Sequence, residues 1–292
     1  MFYMVKYGLV KPITNEEARP YLALVFNSQK GNKGSHSILD SPWSKILTEF
    51  SELINVSELL KRFKERAEID ILDEGCGSSL TLFQAVEELE KDRTGLTNGY
   101  GITASPEFLI QGASSQIREE ILNRFNGNSQ EKRKLELMLQ GVQCNSTKGF
   151  HRYSPRGNLI RIVKGDLHYF PQVLNGKSFD MIYSSATYPH LECPGLVFEK
   201  SVNSLKRDGL LLIDSLPICT IVDGAGNSLT AEECKKRLEN RNPNYKVDMK
   251  SDSNPFYVPV IVERTSDKPF NAGELYSGTD LNQQKRILTV LD

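Results

Sequence analysis

Ile69-Asp70-Ile71-Leu72-Asp73 is a short run of mostly β-branched and apolar residues that breaks at once into Glu74-Gly75-Cys76-Gly77-Ser78-Ser79. The run reads as a buried strand and the break as a turn. Leu80 through Leu89 then carries helical spacing. The same unit recurs downstream. Asn98–Thr103 reads as a second strand, followed by a helix opened by Pro106; Leu159–Asp166 reads as a third strand, Phe179–Ser184 as a fourth and Leu210–Asp214 as a fifth, with a helix over Leu196–Leu205 before it. Strands alternating with helices at this spacing predict an α/β fold with a mostly parallel sheet covered by helices on both faces. The tail predicts a hairpin around Asp223–Asn227, a helix from Thr230, and strands near Tyr245–Met249 and Val258–Arg264.

In an open α/β sheet, ligands sit beyond the carboxyl ends of the strands, and the first strand ends at the glycine turn. Gly75 and Gly77 let backbone approach a ligand with no Cβ in the way; the alternative is that they serve only the turn. The dinucleotide fingerprint requires a glycine three residues after the second, and position 80 is Leu. The turn also carries Asp73 and Glu74 and no Lys or Arg, which opposes a pyrophosphate. Two carboxylates suit a ligand bearing an ammonium and a sulfonium, with Asp73 placed to hold the loop and the amino group.

Taken in order, these segments resemble the class I S-adenosylmethionine-dependent methyltransferases over roughly Ile69 to Asp214. Ile71–Ser79 is similar to the family's first motif, with Ser79 at its usual third glycine. Tyr100-Gly101-Ile102-Thr103-Ala104-Ser105 is similar to the end of its second strand, where Thr103 stands in place of the usual acidic residue. Lys164-Gly165-Asp166-Leu167 matches its third-strand motif, and Phe179–Ala186 with Tyr188-Pro189-His190-Leu191 its fourth strand and loop. The resemblance implies S-adenosylmethionine as cofactor, bound through Asp73, Glu74, Gly75, Cys76, Gly77, Thr103, Ala104, Ser105, Asp166, Leu167 and Ser184. It implies that Asp166 accepts from the adenine amino group, the alternative being a turn cap. His190, on the loop that faces the transferable methyl, is the expected general base, and Tyr188 a second choice whose hydroxyl would orient substrate; a purely structural His190 is the alternative.

The expected activity is methyl transfer to an acceptor the sequence does not identify, a small molecule ahead of a protein. A binding module without catalysis is the alternative on the same fold, and a nucleotide-dependent oxidoreductase is opposed by the acidic turn. The helices expected over Pro42–Phe63 and a helical insertion at about 126–157 would cover the acceptor. The expected organisation is an extension over 1–66, a Rossmann-like domain over 67–266 and a tail over 267–292.

Several classes are disfavoured. The balance of 36 basic against 37 acidic residues gives a net charge of -1, without the electrostatic footprint of a nucleic-acid binder. Five scattered cysteines without a CxxC predict neither disulfides nor zinc, and no two histidines have metal spacing. No apolar run approaches a bilayer span, and Met1–Lys6 has no signal-peptide pattern, so a cytoplasmic protein is expected.

Overall fold

The computed structural model describes residues 2–6, 9–13, 43–76, 80–91, 95–103, 149–153, 159–165, 167–191, 194–218, 229–251 and 258–272. β1 (Phe2–Lys6) and β2 (Leu9–Ile13) pair antiparallel as a two-stranded ribbon. This ribbon falls within the extension expected over 1–66. The remaining elements are α1 (Trp43–Phe50), α2 (Val56–Lys64), β3 (Glu68–Glu74), α3 (Leu80–Lys91), β4 (Leu96–Thr103), β5 (Gly149–Tyr153), β6 (Leu159–Lys164), α4 (Phe170–Val173), β7 (Phe179–Ser184), α5 (Pro194–Asn203), β8 (Leu205–Leu216), α6 (Ala231–Arg241), β9 (Tyr245–Met249) and β10 (Val258–Arg264).

Strands β3 to β10 form one eight-stranded sheet in the order β5-β6-β4-β3-β7-β8-β10-β9. The five central strands, β6, β4, β3, β7 and β8, run parallel. β10 is antiparallel to both β8 and β9, and β5 is antiparallel to β6 at the other edge. This is the mostly parallel, Rossmann-like sheet expected. From β3 the chain steps outward through β4 to β6, then returns to the other flank of β3 to lay down β7 and β8. The carboxyl ends of β3 and β7 therefore flank the switch point, where such sheets open a crevice.

Period-two alternation divides the core. Ile69 and Ile71 face a layer with Trp43, Phe63, Leu82, Met181, Tyr183 and Leu212. Leu72 faces the opposite layer with Ile182, Val197, Phe198, Leu211 and Phe270. α6 starts where expected: Thr230 caps it, and Glu233 reaches back to the Thr230 backbone N–H in a reciprocal box. The edge strand β5 falls inside the stretch expected to be a helical insertion; the rest of that stretch and the hairpin expected at Asp223–Asn227 lie outside the described residues.

The stretch after β10 is fastened along its length. The Asn203 side-chain amide donates to the Phe270 carbonyl (3.0 Å), and its oxygen accepts from the Phe270 N–H (2.7 Å). Asn242 makes the same pair of bonds to Asn271, at 3.0 and 2.8 Å. Phe270 is 2% exposed and meets Tyr245 and Phe198 edge-on, with ring centroids 5.0 and 5.7 Å away. Phe270 and Ala272 thus pack as part of the core layer, although the sequence around them carries weak patterning. Phe270→Ala is expected to cost about 3–5 kcal/mol, because a buried aromatic leaves a cavity that two amide-anchored neighbours cannot fill. Chemical denaturation would show it as a lower midpoint with unchanged slope.

At the amino ends of the central strands sits a buried charge cluster. Asp70 and Asp180 are 4% and 2% exposed. Lys206 Nζ lies 2.9 Å from Asp70 Oδ2 and 2.8 Å from Asp180 Oδ2. Lys177 Nζ is 3.0 Å from Asp70 Oδ1, Arg66 pairs with Asp180, and the Asp70 backbone N–H donates to Asp180 Oδ2. The cluster lies at the opposite edge of the sheet from the glycine turn, so its role is to join β3, β7 and β8.

Candidate active site

The carboxyl edge gathers the turn after β3, the end of β4, the end of β6 and the loop after β7. The backbone register places Glu74 beside Ile102 of β4 and beside Ser184 of β7, and Thr103 beside Lys164 of β6. The ends of these four strands thus lie side by side. Gly77, Ala104, Ser105 and Asp166 lie outside the described residues, as do the side chains of Thr103 and His190.

Gly75 has φ +78°, and a Cβ there would stand 2.1 Å from Thr187 Oγ1. Both facts require glycine. The backbone N–H groups of Gly75 and Cys76 donate to the Ile102 carbonyl, each at 3.0 Å, which fastens the turn to β4. Cys76 is buried against Gly101, and Leu167 is buried in the opposite layer. From β7, Ser184 Oγ donates to the Glu74 carbonyl (3.1 Å), and Thr187 Oγ1 lies 3.1 Å from the same carbonyl.

Asp214, at the carboxyl end of β8, braces this loop. Its oxygens accept from the Ala186 N–H at 2.8 and 3.0 Å and from Ser185 Oγ at 2.7 Å. Ala186 is thereby held at φ +53°, an uncommon conformation for a residue with a Cβ. Sequence reasoning read Asp214 only as a strand end and did not single out Thr187. The available signal was an acidic residue closing an apolar strand at the ligand edge.

Asp73 and Glu74 diverge. Successive strand residues face opposite sides of a sheet. Asp73 points into the layer of Trp43 and Tyr183, and its Oδ2 accepts from the Tyr183 hydroxyl at 2.9 Å. Trp43 lies on Tyr183 with ring centroids 5.0 Å apart, and its buried indole N–H has no hydrogen-bond partner among the described residues. Glu74 points into the other layer, where Tyr188 Oη lies 3.0 Å from Oε2 and Ser201 Oγ 2.5 Å from Oε1. This corrects the expectation that both carboxylates face one ligand: the Glu74 carboxyl is enclosed by protein hydroxyls. Tyr188 is corrected with it. Its side chain is 0% exposed and its hydroxyl meets Glu74 and Ser201, so it is not presented to a substrate.

Burial pushes the Asp73 carboxyl up to about 7 against the bond from Tyr183. Burial pushes Glu74 up to about 8, opposed by Ser201 and Tyr188 and reinforced by the charge of Asp73. Both groups hold protons in the folded chain that the unfolded chain releases near pH 4. The folded state therefore binds more protons across the window from about 4 to 8, and stability falls as pH rises through it. Melting temperatures of the ligand-free protein are expected to drop progressively between pH 5 and pH 8; a rising profile would contradict the burial of this pair.

No protein-family model matches the chain, and no curated protein matches it. Solved structures do. A plantazolicin methyltransferase in complex with a triazolic substrate analogue and S-adenosylhomocysteine is 12% identical, covering 86% of this chain and 92% of its own, with TM-score 0.44. A putative class I S-adenosylmethionine-dependent methyltransferase from Listeria monocytogenes is 16% identical over 87% and 69%, with TM-score 0.40. Magnesium protoporphyrin IX methyltransferase from Synechocystis PCC 6803, with bound S-adenosylmethionine, is 11% identical over 85% and 94%, with TM-score 0.39.

Proposed function

We propose that this chain binds S-adenosylmethionine at the carboxyl edge of β3, β4 and β7 and transfers its methyl group to a small-molecule acceptor in the cytoplasm. The observation that carries the reading is the turn after β3. A glycine that tolerates no side chain is followed by a loop without Lys or Arg, and below it lies a buried carboxyl, Asp73, pushed up to about 7. Such a carboxyl gains most from a cationic ligand, whose charge favours its ionised form and compensates its burial. A pyrophosphate would meet only a carboxylate and backbone there.

When bound, the sulfonium supplies an electrophilic methyl carbon and a neutral thioether leaving group. The chain's own work is orientation and the exclusion of water. Gly75 lets the turn close on Thr187, Asp73 offers charge to the ligand's ammonium, and Asp214 holds the loop Ser185–Thr187 as one wall. Thr103, Ala104, Ser105, Asp166 and Leu167 are assigned to the nucleoside end by their place at the ends of β4 and β6. His190 ends the short turn Tyr188–His190 beyond that wall and is assigned the proton of an acceptor hydroxyl or amine. Among the described residues, no group of His, Cys, Asp or Glu could hold a metal ion, and no helix is long and apolar enough to cross a membrane.

Asp73→Asn tests the ammonium contact. It removes the charge and keeps the shape, and a hydrogen bond to a charged group is worth about 1.5–3 kcal/mol. S-adenosylhomocysteine affinity should fall roughly tenfold to a hundredfold by calorimetry. Unchanged affinity would remove Asp73 from the site.

A further inference from the structure

Trp43 is the chain's single tryptophan, and it opens α1. Its side chain is buried, yet its indole N–H meets no acceptor among the described residues. An indole nitrogen can only donate. Buried polar groups are paired almost throughout native structures, so an orphaned donor marks a place where something outside the chain completes the bond. Asp73 shows the converse. It is a buried carboxyl, and among the described residues no Lys, Arg or His forms an ion pair with it. Its side-chain hydrogen bond comes from a neutral hydroxyl, that of Tyr183.

Two contacts bring these groups to one place. The Trp43 ring lies 5.0 Å from that of Tyr183, whose hydroxyl reaches Asp73 Oδ2 at 2.9 Å. The Trp43 backbone N–H donates to Gln84 Oε1 at 3.0 Å. Gln84 belongs to α3, the helix that opens after the glycine turn, and helical side chains lean toward the start of their helix. Trp43 is thereby tied to the amino-terminal half of α3 and, through Tyr183, to the carboxyl at the end of β3. The start of a helix carries partial positive charge and favours an anion. A donor without an acceptor and a carboxyl without a cation, bridged by one tyrosine, complement a ligand that bears an anion and a cation on neighbouring atoms. An α-amino acid end has that form: an ammonium and a carboxylate on one carbon.

We propose that Trp43 is a specificity-determining residue of the site: its indole N–H donates to the α-carboxylate of the S-adenosyl ligand while Asp73 takes the ammonium. This rests on the reading of the site as one for S-adenosylmethionine. It makes α1, which precedes the first strand of the sheet, a wall of that site. It also sets the class of ligand retained, because an adenosyl thioether that lacks the carboxylate leaves the buried donor unanswered.

The test is calorimetric titration of two ligands, S-adenosylhomocysteine and its decarboxylated analogue, into wild type and Trp43→Phe. The analogue keeps the nucleoside and the ammonium, and the variant keeps an aromatic ring on Tyr183 but has no N–H. A hydrogen bond to a charged group is worth about tenfold or more in affinity. Trp43→Phe should therefore weaken S-adenosylhomocysteine by about tenfold or more and leave the decarboxylated analogue unchanged. The preference of wild type for the carboxylate should shrink by the same factor. Equal losses for both ligands would assign Trp43 to packing alone and overturn the proposal, and so would two unchanged affinities. If Trp43→Phe fails to fold, the single tryptophan is replaced biosynthetically by benzothienylalanine, which keeps the two fused rings with sulfur in place of the N–H, and the same comparison decides. Wild type that binds S-adenosylhomocysteine no better than the analogue overturns the proposal and leaves the reading of the site standing. Wild type that binds neither sinks that reading, and this proposal with it.

Discussion

Gly75→Ala is expected to abolish S-adenosylhomocysteine binding and to destabilise the fold by about 2–5 kcal/mol. Two costs add. The residue sits at φ +78°, where a Cβ costs on the order of 1–2 kcal/mol. The new methyl would also stand 2.1 Å from Thr187 Oγ1 and 2.6 Å from Thr187 Cγ2, overlaps that a well-packed site relieves at about 1–3 kcal/mol. Relief cannot come from Thr187 alone, because its neighbours Ser185 and Ala186 are held by Asp214 and its hydroxyl lies between the Glu74 and Ser185 carbonyls. The turn and the loop after β7 must separate, and they are the two walls of the proposed site. Thr187→Gly in the same chain should restore the part due to overlap and leave the part due to φ, so the double variant recovers stability incompletely. Equilibrium denaturation of the four proteins measures the coupling. Equal effects of Gly75→Ala with and without Thr187 would contradict the packing described.

Lys206→Met is expected to cost about 3 kcal/mol or more, although the lysine reaches the surface and the substitution preserves its stem. The reason lies in its partners. Asp70 and Asp180 are almost fully buried, and their Oδ2 atoms converge on one ammonium at 2.9 and 2.8 Å. Removing that cation leaves two carboxylates close together in the interior, and breaking a buried pair by deleting one partner costs about 3–5 kcal/mol. Lys177 and Arg66 remain, which places the effect at the lower end. The pH dependence carries a second signature. Burial works to raise Asp70, but the bonds and charges of Lys206 and Lys177 outweigh it and hold the carboxyl below its ordinary value of 3.8. Stability from this group is present above that value and is lost as pH falls through the lower folded one. The stability advantage of wild type over Lys206→Met should therefore narrow as pH falls below about 4, on the opposite limb from that set by Asp73 and Glu74. Identical acid profiles would contradict the role assigned to Lys206.

What could be read in the residues follows from where periodicity is strong. β3, β6 and β7 are mostly apolar runs that end near the boundaries expected from their sequence, whereas β8 begins at Leu205, five residues before the expected Leu210. The helix expected from Thr230 is α6, and the structure adds the reciprocal Thr230–Glu233 cap at its start. The segments that escaped are those that tertiary contacts define. β5 is a polar edge strand, Gly149-Phe150-His151-Arg152-Tyr153, paired on one side only. Residues 267–272 are ordered by the side-chain amides of Asn203 and Asn242, which lie far away in sequence. In the site, the glycine turn and the neighbouring ends of β3, β4, β6 and β7 were legible, because parallel topology brings strand ends together whatever their side chains. The opposed directions of Asp73 and Glu74 were implicit in the strand's period of two, but grouping them by charge hid it. The clasp of Asp214 on Ala186 and the enclosure of Tyr188 depend on the packing of β8 and α5 against one loop, which neighbouring residues in the sequence do not encode.

The central claim, that the carboxyl edge of this sheet holds an S-adenosyl ligand, is tested most directly by titrating S-adenosylhomocysteine into the full chain at neutral pH and reading heat and stoichiometry. One site per chain with affinity on the order of micromolar is expected, and no heat from NAD. Folded protein that shows no binding, or binds NAD in preference, would contradict it.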